Sequence, residues 1–255
     1  MSEFILELYS EEIPPNLQIN ARNNLLEKIQ TSLKDENLKF GSLRVFSSPT
    51  RLTILLKDFS EKIKIPAKEI KGPKVGVIDD IVNNFLKAHQ SSRKDLIEKK
   101  NDKGNFYYVK TKSKEILSSE ILKRVVVNSI ASIKWKKSMR WSETDLLWGR
   151  PLRSILAIYK TKVLPFSYGH LKTTDNIFIE KDIDVKVRKV KNFKDYQKLL
   201  SDNNIIFDHE EREKKIIKKF ENFYKLKNFK SYYDTKLLRE VTNIVEDPQV
   251  LLVDF

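Results

Sequence analysis

Between Phe4 and Phe59 the hydrophobic period changes from two to that of a helix and back to two, and this ordered switch limits the chain to a mixed fold. In FILELYS, Phe4, Leu6 and Leu8 fall on one face of a strand and Ile5 and Tyr9 on the other. Pro14 and Pro15 end it. From Leu17 the apolar residues Ala21, Leu25, Ile29 and Leu33 recur at helical spacing, which predicts a helix of about five turns. SLRVFSS and TRLTILLKDF then alternate or run apolar, as a strand pair does, with Pro49 at the turn. Strand, helix, strand, strand is the front of a small α+β unit, expected over residues 1–63.

Lys64–Gly76 holds two prolines and two glycines and reads as a linker. A mixed α+β region is expected over 77–190. Its parts are a helical stripe at Ile78, Ile81, Val82, Phe85 and Leu86, a strand in GNFYYVKTK, and a second helix carrying Ile116, Leu117, Ile121, Val125 and Ile130. RSILAIYKTKVLPFSYG reads as a hairpin and DIDVKVRKV as a half-exposed strand. Residues 191–255 read as mainly helical. Asp208 and Glu211 form an aspartate version of the capping box, ahead of a stripe at Ile216, Ile217, Phe220, Phe223 and Tyr224. The surrounding charge run reads as a solvated helix face. Val250–Phe255 is a strand-like apolar run, so the chain reads as a fragment of a longer one. The expected class is α+β: a small strand–helix–strand–strand unit, a mixed α/β region, and a helical C-terminal part.

Lys and Arg total 49 against 35 Asp and Glu, a net charge of +14 that attracts polyanions, nucleic acid foremost. The absence of cysteine excludes disulfides and thiolate metal sites. No apolar run is long enough to span a bilayer, and the N-terminus carries glutamates where a secretory signal carries cations, so a cytoplasmic protein without membrane contact is expected. For catalysis the inventory is poor. His89, His170 and His209 have no metal-ligand spacing, and no nucleophile elbow or phosphate-cradling glycine loop occurs. Glu11 and Glu12 read as a helix-start device. No catalytic, metal or cofactor-binding residue is expected in this chain.

KWKKSMRW (Lys134–Trp141) is different in kind. The three tryptophans, Trp135, Trp141 and Trp148, fall within fourteen positions among cations, offset only by Glu143 and Asp145. Lysine and arginine pair with phosphates, and exposed rings stack on unpaired bases. The alternative is a core of Trp135, Met139 and Trp148 with the cations reaching out to water. The reading adopted is that the rings pack while cations bind, which makes Lys134, Lys136, Lys137, Arg140, Arg150 and Arg153 the candidate RNA-binding residues.

Several stretches in order, FILELYSEEIPP, SSPTRLTILL, IKGPKVG, KGNFYYVKT, KKSMRW, GRPLRSILAIY, VLPF and REVTNIVEDPQVLL, resemble the beta subunit of the bacterial heterotetrameric glycyl-tRNA synthetase. The matches run from residue 4 to 253 and correspond to the N-terminal part of such a subunit. Departures stand at Tyr9 and Ser10, at Ser142, at Ser154, and at DNIF after Thr173 and Thr174, where the family has Gly-His-Arg-Phe. The resemblance implies two alpha and two beta chains, with the class II site that activates glycine with ATP and Mg²⁺ in the alpha subunit. The beta subunit is then a tRNA(Gly)-recognition arm, with an HD-like and an anticodon-binding domain further along. The alternative is a free-standing RNA-binding module with no catalytic partner, which would purify without a glycine-activating chain.

Overall fold

β1 (Glu3–Ser10) leads into α1 (Pro15–Asp35), β2 (Ser42–Ser47) and β3 (Arg51–Lys57), the order expected from the period switch. β4 (Lys62–Ile65), β5 (Glu69–Lys74), α2 (Asp79–Ala88), β6 (Leu96–Asn101), β7 (Gly104–Lys110) and β8 (Lys114–Leu117) follow. Then come α3 (Ser118–Ala131), β9 (Met139–Arg140), β10 (Leu147–Trp148) and β11 (Leu152–Tyr159). Short strands β12 (Lys162–Val163), β13 (Ser167–Tyr168) and β14 (Leu171–Thr174) precede the hairpin of β15 (Asn176–Lys181) and β16 (Asp184–Lys189). The helices α4 (Phe193–Ser201), α5 (His209–Lys227) and α6 (Thr235–Ile244) come last. The fold is α+β. The computed structural model describes residues 2–111, 113–140, 147–181, 184–227, 234–251 and 253.

Two compact units divide these elements, one made of the residues up to Glu61 and from Ser118 onward, the other of Lys62–Leu117. The first is built on a sheet of order β13-β14-β11-β1-β3-β2, with β12 also on β11. β1 lies antiparallel between β3 and β11, so Phe4 faces Leu56 on one side and Tyr159 on the other. Phe4, Ile5, Leu6, Leu8 and Tyr9 are each at most 2% exposed, because helices or further strands cover both faces. At roughly 1.5–3 kcal/mol per buried large apolar side chain, this strand anchors the unit. On the Ile5 face Leu156 and Ile158 of β11 pack with Ile177, Ile179, Phe193, Tyr196 and Phe207. The N-terminal strand–helix–strand–strand is therefore not a separate unit of residues 1–63. It shares one sheet with β11, about 100 residues further along the chain than β3, a pairing that local hydrophobic period cannot report.

The second unit has its own three-stranded antiparallel sheet, order β5-β7-β6. α2 covers one face through Val82 and Leu86 against Val109. A ribbon of β4 and β8 closes the unit, Lys62 facing Leu117. Lys64–Gly76 is thus strand rather than linker. Pro66 falls between β4 and β5, and Gly72 and Pro73 sit where the β5–β7 register shifts, so the breakers mark a turn and a bulge. Gly72 also has no room for a side chain, since a Cβ there would lie 2.6 Å from the Phe85 ring. Likewise Ile116 and Leu117 are strand, not the start of the second helix. Cross-strand pairing with Ile63 and Lys62 overrides their helical spacing, and α3 starts at Ser118.

β16 differs from its half-exposed expectation, all six residues being exposed, with Val185 at 52%. Asp208 does cap α5, its carboxylate accepting from the Glu210 backbone N–H at 2.9 Å. Val250, Leu251 and Val253 lie outside any strand, and Phe255 lies outside the described residues.

Candidate nucleic-acid interface

The basic segment hangs on two tryptophans. Trp148, in β10, is fully buried, and Trp135 meets it edge-on with ring centroids 4.9 Å apart and planes at 62°. Gly149 makes the contact possible, since a Cβ there would lie 2.5 Å from the Trp135 ring. Both indole N–H groups are buried without a partner, so packing alone holds the pair. Met139, expected in this core, is instead 45% exposed. It lies in β9 opposite Trp148, and its sulfur accepts from the Arg150 guanidinium at 3.4 Å. Trp141, Glu143 and Asp145 lie outside the described residues.

The candidate cations separate into two groups. Lys134, Lys136, Lys137 and Arg140 are exposed around the tryptophan pair. Arg150 and Arg153 instead line a cleft with Glu11, Glu12, Glu180 and Glu246. Arg153 is paired with Glu180 at 2.5 Å. Four carboxylates beside two guanidiniums give that cleft a potential that repels phosphate. Glu11 and Glu12 belong to this cleft rather than to the start of α1, whose first turn carries no acid.

Under the cleft lies a buried ionic cluster that sequence reading missed. Arg51, 2% exposed, donates to Glu7 at 3.1 Å, to Glu246 at 2.9 Å and to the Thr50 hydroxyl at 2.6 Å, and also to the Phe178 carbonyl. Tyr196 donates to the same Glu7 oxygen at 2.6 Å and shares a hydrogen bond with Thr53. Burial pulls the Arg51 guanidinium down, and Glu7 and Glu246 more than reverse this, so it ends above its ordinary value. The signal was present in FILELYS, where Glu7 interrupts an otherwise apolar strand.

A second buried cation lies in the charge run read as solvated. Arg212 is 0% exposed and donates to three backbone carbonyls, Thr242 at 2.8 Å, Ile206 at 2.6 Å and Ser47 at 2.8 Å. It satisfies the carbonyl of Thr242 near the C-terminal end of α6, where helical carbonyls lack partners. Burial lowers its guanidinium to about 10, still charged at neutral pH. Beside it, His209 is lowered to about 4, first by burial and then by Arg22, with Arg212 and Arg44 adding to it against the opposing pull of Asp208. Its proton is therefore held less well in the fold than in the unfolded chain, whose histidine titrates near 6.5. Stability is expected to fall by about 2 kcal/mol as pH drops from 6.5 to 4, after allowance for solvent at its partly open edge. His209→Gln should flatten the melting temperature across that window, and an unchanged profile would show that other groups set the acid limit. His89 caps the end of α2 against Phe85, ring centroids 4.8 Å apart, as a turn residue would. Among the described residues no three His, Asp or Glu side chains are grouped to hold a metal, and no helix is long and apolar enough to cross a membrane.

Residues 4–255 match the family model described as glycyl-tRNA synthetase beta subunit. Among curated proteins, the chain is 35% identical over 252 residues to the glycine–tRNA ligase beta subunit of Rickettsia prowazekii, covering 99% of this chain and 38% of that protein. It is 36% identical over 256 residues to the same-named protein of Rickettsia felis, again over 99% and 38%. The chain thus spans about 38% of the length of these relatives, their N-terminal part. A match this continuous, reaching from the first buried strand to the end of the chain, is a match of whole fold rather than of one motif: the chain belongs to the glycyl-tRNA synthetase beta subunit family.

Proposed function

We propose that this chain is the N-terminal part of the beta subunit of a bacterial glycyl-tRNA synthetase of two alpha and two beta chains, a cytoplasmic ligase that attaches glycine to tRNA(Gly) at the expense of ATP. In this reading the chain assists tRNA recognition and assembly with the alpha subunit. ATP and Mg²⁺ act in the alpha subunit, and no residue of this chain touches them. The observation that carries the reading is the family match over residues 4–255, joined to four exposed cations around a packed tryptophan pair.

Lys134, Lys136, Lys137 and Arg140 are the phosphate contacts of this reading. Arg150 and Arg153 shape the acidic cleft at their side and contribute little to phosphate. Each phosphate contact releases counterions, so replacing Lys136 and Lys137 together by alanine is expected to weaken tRNA(Gly) binding. The log–log salt slope should fall by up to about two units, less where the contacted strand is unpaired. Filter binding over a salt series reads both quantities. Charge reversal at both lysines with unchanged low-salt affinity would remove tRNA contact from this segment. Co-purification of the full-length subunit with a glycine-activating chain tests the assembly half.

A further inference from the structure

The second unit carries half of the chain's net charge in little more than a fifth of its residues: Lys62–Leu117 has fourteen Lys and Arg against seven Asp and Glu, within a total of +14. Its sheet has one face under α2, where Val109 packs on Val82 and Leu86. Side chains alternate along a strand, so Phe106 and Tyr108 of β7 point away from that helix. Register places Lys99 of β6 and Lys74 of β5 on either side of Phe106, and Ile97 and Lys71 on either side of Tyr108. Both rings are partly exposed. Lysines already lie over them, the Lys71 ammonium 3.6 Å from the Phe106 centroid and that of Lys99 5.6 Å from Tyr108. Glu69 is the one carboxylate on this face among the described residues, and it is bound to Lys99 at 2.6 Å.

We propose that this open face of β5, β6 and β7 binds an unpaired segment of RNA, with bases on Phe106 and Tyr108 and phosphates on the flanking lysines. Two rings two positions apart on one strand stand about 6.8 Å from each other, within reach of successive bases of an extended single strand. Duplex RNA cannot offer base faces to such a platform, because its bases are stacked and its major groove is closed to side chains. On binding, the lysines leave the ring faces for phosphate oxygens, exchanging a cation–π contact for an ion pair of comparable or greater strength. An acidic protein would engage the lysines but has no need of two flat ring faces, and the charge and the rings together favour RNA. The surface is built from other residues than the tryptophan segment and does not depend on the role given to that segment above.

The test uses the whole chain and fluorescence anisotropy with three probes: a labelled ten-nucleotide single-stranded RNA, an RNA hairpin of equal phosphate number, and heparin. The single strand is expected to bind more tightly than the hairpin. Phe106→Leu and Tyr108→Leu should each weaken the single strand about tenfold while leaving heparin unchanged. Lys71→Ala should lower the salt slope for the single strand by about 0.7. Phe106→Trp keeps a ring and should keep the affinity, which separates stacking from any loss of fold. Equal affinity for strand and hairpin, or leucine variants that lose nothing, would overturn the proposal. So would leucine variants that release heparin yet hold the single strand as before. Lys136→Ala with Lys137→Ala should preserve the ring-dependent difference, so failure here and failure of the tRNA-contact reading are told apart.

Discussion

Arg51→Met is expected to lower the unfolding free energy by about 3–5 kcal/mol, because it leaves Glu7 buried and uncompensated while removing a donor from Glu246. Burial already lifts the Glu7 carboxyl above its ordinary range, against the pull of Arg51 and the Tyr196 hydroxyl. Without Arg51 that carboxyl should take up a proton in the fold. A carboxyl that binds its proton more tightly folded than unfolded contributes stability below the unfolded value, near 4.3, and loses it as pH rises through the folded one. The deficit of Arg51→Met should therefore narrow when denaturation is measured at pH 5 rather than pH 7. The double variant Glu7→Gln, Arg51→Met should recover much of the loss, since removing both charges restores a near-neutral interior. A single variant as stable as the parent at pH 7 would show that water reaches the cluster.

Trp148→Ala should cost about 3–5 kcal/mol, the range for deleting a fully buried large aromatic. The void would also release Trp135, whose edge rests on that ring. Binding of tRNA should fall only in step with the unfolded fraction, because a ring with no exposed surface has no face for a base. Lys136→Ala should do the reverse, leaving stability within about 0.5 kcal/mol. Denaturant titration and RNA binding on the same samples separate the two. A Trp148→Ala protein that melts normally and binds poorly would place the ring in the interface instead.

What could be read from residues alone was local. β1, α1, β2 and β3 follow from the spacing of Leu17, Ala21, Leu25, Ile29 and Leu33 and from the alternation around it, because neighbours in sequence fix those periods. The partner of β1 could not be read, since Phe4 and Tyr159 are set opposite each other only in the assembled sheet. The limits of the second unit were hidden for the same reason, as Lys62 and Leu117 meet across a ribbon. For the candidate site, composition singled out basic residues but carried no information on their surroundings. Arg150 and Arg153 are basic in sequence but lie among carboxylates brought in from the residues after β1, from β15 and from the residues after α6. Arg212, one cation in a run of charges, is distinguished only by the three carbonyls that enclose it.

The interrupted first unit has a consequence for synthesis. β1, β2 and β3 leave the ribosome with the β11 side of β1 unpaired, an apolar edge of the kind that recruits other strands. At about 5–20 residues per second, the roughly 100 residues that separate β3 from the end of β11 keep that edge open for some 5–20 s. The inserted unit shortens the search when it does come. Once β4 and β8 have zipped Lys62 to Leu117, the segment that must close to bring β11 onto β1 shrinks from about 94 to about 40 residues, which lowers its closure cost by about 0.8 kcal/mol. A domain placed in the middle of a sheet thus acts, for a nascent chain, as a clasp whose shutting makes the sheet easier to close.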